Sequence, residues 1–131
     1  MSFLAKLTID HEEMVVLQYR MSMVQDTDHS DRPAADPRGG RIRVLVELTK
    51  STTLFDWMRN PSHVKDGAFV FYRRDGMSKM RGLKFRKAYC VAYKEAFDAD
   101  DTLPMRAEIT IVAKEIEING SRFDKNWPVS L

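Results

Sequence analysis

LKFRKAYCVAYKEAF, residues 83–97, is the stretch that decides the fold. Side chains of an extended chain point alternately to opposite faces. With that period Leu83, Phe85, Tyr89, Val91, Tyr93 and Phe97 share one face, while Ala88, Cys90, Ala92 and Ala96 share the other. The reading is a long strand with a bulky face and a small-residue face, the second of which admits close approach by another layer.

The same period recurs outward from this strand. Residues 68–74 alternate Phe69 and Phe71 with Val70 and Tyr72, apolar on both sides, as expected of a strand covered on both faces. Residues 105–118 change phase, with Met105, Ile109 and Ile111 odd but Ile116 and Ile118 even. A bulge, or a strand leaving one sheet for another, produces such a change. Near the start, Phe3, Ala5, Leu7 and Ile9 alternate, a turn follows at residues 10–13, and Leu17, Tyr19, Met21 and Met23 alternate with Gln18, Arg20 and Ser22. Ile42, Val44, Val46 and Leu48 then oppose Arg41, Arg43 and Glu47. Asn119-Gly120 is a tight-turn pair.

One short helix interrupts the strands. Ser51-Thr52-Thr53 offers N-cap hydroxyls, Asp56 favours the first turn, and Asn60-Pro61 stops the helix. Leu54, Trp57 and Met58 lie at helical spacing with Phe55 beside them. Two turns are not stable alone, so so apolar a helix must plug the open end of a barrel or sandwich. The expected architecture is mostly β: a small barrel of about seven strands with one short α-helix, in a single domain spanning residues 1–131.

Composition bounds the function. The chain has 131 residues, enough to bury roughly two-thirds of its unfolded surface without metals or disulfides. The single cysteine, Cys90, excludes an internal disulfide framework and fits a reducing cytoplasm. MSFLAKLTID alternates and carries a lysine where a signal peptide needs a continuous apolar core. No run approaches the roughly 18 apolar residues of a membrane helix, so membrane insertion is not expected.

A search for chemistry returns little. Asp26, Asp28, His29, Asp31 and Asp36 cluster, yet as a calcium loop they fail: counted from Asp26, position six is Asp31 and position twelve is Pro37. A transition-metal site needs more His or Cys than His29 supplies. His11, His29 and His63 fall in turns or loops, and Cys90 sits mid-strand among small apolar residues, which suits an inert thiol. Neither a catalytic set, a metal site nor a cofactor is expected. Arg38-Gly39-Gly40-Arg41 and the FYRR at residues 71–74 raise nucleic-acid binding, but one RGG is a weak signal and a net charge of +2 gives no attracting field.

Charge is segregated instead. Residues 73–87 hold seven basic side chains against one acid, Asp75, whereas Glu95, Asp98, Asp100, Asp101 and Glu108 make the following stretch acidic. Oppositely charged ends suit head-to-tail contact between copies. QDTDHSDRPAADPRGG, residues 25–40, has no large apolar side chain and is long for a connection within a compact domain, unless it acts outside its own fold.

RGG (residues 38–40), LFDWM (54–58), FYRRD with SKM (71–75 and 78–80), AYCVAYKEAFDA (88–99) and Asn126-Trp127, in this order and spacing, resemble the haemolysin-coregulated protein (Hcp) family of type VI secretion systems, in its divergent TssD branch. The resemblance runs from Ser2 to Trp127, with His11 standing where glycine is expected after Asp10. It implies a phage-tail-tube-like barrel that closes into homo-hexameric rings. The rings stack into a hollow tube that a contractile sheath propels, with spike proteins at the tip and effector proteins in the lumen. It further implies a structural protein and no enzyme, made in the cytoplasm and secreted through the type VI machine without a signal peptide.

On that resemblance residues 25–40 are an inter-ring contact loop, with Asp26, Asp28, Asp31, Arg32, Asp36 and Arg38 as its contact residues. Ala88, Cys90 and Ala92 are the expected subunit packing face. The rival reading is a stand-alone β-barrel module binding nucleic acid or a partner protein.

Overall fold

The structure, a computed structural model, describes residues 4–24, 38–75, 78–100 and 102–124. The elements are β1 (Leu4–Ile9), β2 (Glu12–Val24), β3 (Arg38–Glu47), α1 (Thr53–Met58), β4 (Lys65–Tyr72), β5 (Lys79–Ala96), β6 (Arg106–Ile118) and β7 (Ser121–Asp124). The antiparallel strands run in the order β3-β2-β1-β4-β5-β6-β7. A further pairing, from Arg41 opposite Val112 to Glu47 opposite Arg106, joins β3 to β6. Six strands thereby close into a barrel, and β7 remains as an extra strand on β6. The expected mostly-β barrel with one helix is the fold found.

Two tight hairpins set its register. Ile9 faces Glu12, so Asp10 and His11 form a two-residue loop with φ of 52° and 65°. Both angles are positive, as a type I′ turn requires. Asn119 (φ 46°) and Gly120 (φ 91°) repeat the arrangement between Ile118 and Ser121.

Alternating apolar residues meet inside: Leu7 and Ile9, Ile42, Val44 and Val46, Phe69, Leu83 and Phe85, Ile109 and Ile111 are all essentially inaccessible. Helix α1 buries Leu54 and Trp57 in the same core. Trp57 stacks on Phe85 with ring centroids 6.4 Å apart and planes 5° from parallel, and its Nε1–H donates to the His63 carbonyl at 3.0 Å. The helix start differs from the simple capping expectation. The Thr52 hydroxyl donates to Asp56 Oδ2 (2.9 Å), and it is Ser51 Oγ that accepts the Thr53 N–H (3.2 Å). The Ser51 and Thr53 hydroxyls also donate to Glu12 Oε1, at 2.7 and 3.1 Å, tying the plug to the start of β2.

Residues 83–97 do lie in a strand apart from the last, but their faces are not those that simple alternation predicts. Leu83 and Phe85 point inward; beyond them the inward side chains are Ala88 and Cys90, while Val91 and Phe97 are exposed. The phase changes at Lys87, whose φ is 53°. The cause lies on another strand. Gly67 faces Phe85 and Lys65 faces Ala88, so Arg86 and Lys87 together oppose Asp66, a bulge, and the Asp66 carboxylate accepts the Lys87 N–H at 2.9 Å. A second register shift between Cys90 and Ala92 brings Tyr93 back against the core.

The phase change expected in residues 105–118 is found between Ala113 and Ile116, both buried. The β5–β6 register does not slip there, since Arg86 faces Glu115 and Ala88 faces Ala113. Both strands bend together. Residues 65–72 form β4 and carry Phe69 inward, but Val70 and Tyr72 are half-buried on a face that no second sheet of the described residues covers.

Two expectations follow from this core. His11→Gly relieves a left-handed backbone that a Cβ disfavours and adds about 1 kcal/mol of stability, read as a higher urea midpoint at equal protein concentration. Trp57→Ala removes the plug's largest anchor and costs about 3–5 kcal/mol in the same measurement.

Candidate interaction surface

Strand β5 spans 18 residues, a length along the chain of roughly 56 Å at about 3.3 Å per residue. The basic run lies along the β4–β5 hairpin and the first half of β5, where Lys79, Arg81 and Lys84 are exposed. Among the acids of the far end, Asp98 and Asp100 are exposed; Asp98 Oδ2 accepts from Arg106 Nη2 (2.8 Å), and Glu95 Oε1 accepts the Tyr93 hydroxyl (2.5 Å). The two charge blocks therefore sit at opposite ends of one long strand. Asp101 lies outside the described residues.

Because β5 and β2 are longer than their neighbours, each has a stretch with a strand on one side only, among the described residues. β2 pairs with β1 through residues 12–15 and with β3 through residues 16–24. β5 pairs with β4 through residues 79–88, while residues 90–96 have β6 alone. Where β1 and β2 part, an apolar groove of about 360 Å³ opens between Leu4, Val16, Tyr19, Phe71, Tyr72 and Met80. Tyr19 closes its floor edge-on to Phe69 and Phe71 (5.1 and 4.8 Å), and burial pushes its phenol pKa up.

The expected site residues are placed as follows. Ala88 and Cys90 pack inside their own barrel, and of the three packing-face residues only Ala92 lies on the outside. The bulge at Arg86 and Lys87 accounts for this, because it turns the small residues inward. Asp26, Asp28, Asp31, Arg32 and Asp36 lie outside the described residues. Arg38 belongs to β3 and faces Val24 of β2, so the strands continue to both ends of residues 25–37. The open strand edges were not legible in the sequence, since they depend on which strands pair.

Among the described residues no three His, Cys, Asp or Glu side chains are grouped to hold a metal. The Cys90 thiol donates to the Ala92 carbonyl (3.5 Å), and burial pushes its pKa up to about 11. The FYRR stretch ends a strand: Phe71 packs on Tyr19, and the Arg73 N–H donates to the Ser78 carbonyl at 2.8 Å. Among the described residues no helix is long and apolar enough to cross a membrane.

A closed barrel with a helical plug, split strand edges and charged ends is the build of a subunit, and comparison with known proteins gives it a class. The model of the family "Hemolysin coregulated protein Hcp (TssD)" matches residues 1–128. Hcp1 from Flavobacterium johnsoniae is 41% identical with a TM-score of 0.86, covering 93% of this chain and 99% of that one. Hcp1 from Salmonella typhimurium (15% identity, TM-score 0.74, 94% and 92% covered) and Hcp3 from Pseudomonas aeruginosa (9%, 0.68, 96% and 100%) share the fold. No curated protein matched by sequence. The chain belongs to the Hcp (TssD) family and is a tube protein of type VI secretion, a structural family that forms rings and is secreted by these systems.

The Cys90 environment sets a pH dependence. A thiol held protonated in the fold stabilises it fully below the unfolded value near 9 and loses that contribution as pH rises through about 11. Stability should therefore fall between those values, less steeply in Cys90→Ala. At pH 8 a thiol reagent should label the native protein far more slowly than the urea-unfolded chain.

Proposed function

We propose that this chain closes into six-membered rings that stack into a hollow tube, which a contractile sheath drives outward with effector proteins in its lumen and spike proteins at its tip. The observation that carries the reading is the pair of half-open strand edges, residues 16–24 of β2 and residues 90–96 of β5. They belong to different strands, so one copy can present its β2 edge to the β5 edge of the next. Such a contact is heterologous, and it closes into a ring when the rotation between copies returns to its start. Edges that invite aggregation in an isolated subunit are then covered. Ala92, on the outer side of the β5 stretch, belongs to this contact, whereas Ala88 and Cys90 support it from within.

Stacking uses the other axis. The charged ends of β5 meet end to end, and Asp26, Asp28, Asp31, Arg32 and Asp36 in residues 25–37, with Arg38 at their boundary, contact the neighbouring ring near its basic β4–β5 hairpin. A single exposed ion pair contributes only about 0–1 kcal/mol. Six such contacts acting together make stacking effective. The work done is mechanical, without a chemical step.

Light scattering on a sizing column should give a hexamer; a monomer at tens of micromolar would sink the ring. Replacing residues 25–37 by an Asn-Gly turn should leave the barrel and the ring intact and abolish stacking and export. Continued export of that variant would show that the segment is not a connector.

A further inference from the structure

Gly40 stands where three features of the barrel wall coincide. First, it is the extra residue in the β2–β3 pairing: Ser22 faces Arg41 and Met23 faces Gly39, with a register shift between them. Second, its φ is +73°, the left-handed region, so it forms a glycine bulge. Third, it is where β3 leaves β6. Arg41 opposite Val112 is the last pair of that contact, and from Glu115 onward the same edge of β6 is taken by β7.

The fit at that point is tight. Gly40 is buried, and a Cβ there would lie 2.5 Å from the Ala113 carbonyl oxygen and 3.4 Å from Ile116 Cδ1. The first contact is with backbone and has no rotamer to relieve it. Beyond Gly40, among the described residues, Arg38 and Gly39 of β3 pair with β2 alone, facing Val24 and Met23. Past Gly40, β2 and β3 therefore continue as a two-stranded ribbon, Met23 opposite Gly39 and Val24 opposite Arg38, that β6 does not pair. Left-handed Lys87 and the β6 phase change lie at the same level, so the ribbon leaves where the wall itself bends.

We propose that Gly40 is the positioning residue for ring stacking: it sets the direction of the β2–β3 ribbon that leads into residues 25–37. This rests on the connector reading of that segment. Gly40 itself makes no pair in the β3–β6 ladder that holds the barrel shut, which begins after it at Arg41.

Two variants test it. Gly40→Ala keeps the bulge but forces β3 away from Ala113. Deleting Gly40 adds no atom and gives β2 and β3 an unbroken register, redirecting the ribbon without a clash. Each is produced in cells that carry the secretion machine and lack their own copy of this chain, beside the Asn-Gly variant of residues 25–37. The expected result is rings of wild-type size on a sizing column, with export reduced about ten-fold or more as six misaimed contacts fail together. Wild-type export of both Gly40 variants, with the Asn-Gly variant not exported, overturns the positioning role and leaves the connector reading standing. Export of the Asn-Gly variant overturns both. If neither Gly40 variant yields a folded ring, Gly40 acts on the barrel itself and the positioning role is rejected.

Discussion

The seven pairs between β3 and β6 are the constraint on which the rest of the molecule depends. Without them the strands form an open sheet whose end strands expose long edges and whose apolar face has nothing to cover it. With them Ile42, Val44 and Val46 meet Ile109 and Ile111 across one ladder, and the sheet wraps around its own core. Closing so few strands around large side chains demands sharp bends. They are supplied by bulges at Gly40, at Arg86–Lys87 and in β2, and by Gly67, where a Cβ would lie 2.4 Å from Phe85 Cζ and 2.8 Å from the Thr8 carbonyl. Trp57 then fills the end that the strands cannot.

Closure also fixes what is left over. β2 and β5 run past their partners, and the same lengths that make the barrel staggered leave a stretch of each with one edge that no strand of the described residues pairs. The core is completed internally, and in the proposed ring the hydrogen bonding of these edges is completed by neighbouring copies. That division suits a tube protein. The barrel's core is complete within one chain, while the proposed assembly draws on main-chain edges, end charges and the β2–β3 ribbon.

Much of this was legible in the sequence. Alternation located the strands, the apolar helix at residues 53–58 was read as a plug, and Asn119-Gly120 marked a hairpin, because each signal is local. The motifs of residues 38–40, 54–58, 71–80 and 88–99 pointed to the family that the comparisons show. What failed was the phase of β5. Lys87 adopts a positive φ because Asp66, 21 positions earlier, holds its N–H, and no pattern within residues 83–97 encodes that contact. For the same reason Ala88 and Cys90, expected on the subunit packing face, pack into their own barrel. The open edges were illegible for a related one, since an edge is a property of the pairing and not of the strand. Residues 25–37 were legible only as a segment unsuited to a core.

The account's central claim is that the half-open edges of β2 and β5 are completed between copies. Hydrogen exchange resolved to single amides tests it most directly, comparing assembled protein with protein diluted to single subunits. The account predicts that the alternate amides of residues 16–24 facing away from β3, and of residues 90–96 facing away from β6, exchange fast in the single subunit and become protected in the ring to the level of the β3–β6 ladder. Fast exchange at both edges in the assembled ring would contradict it.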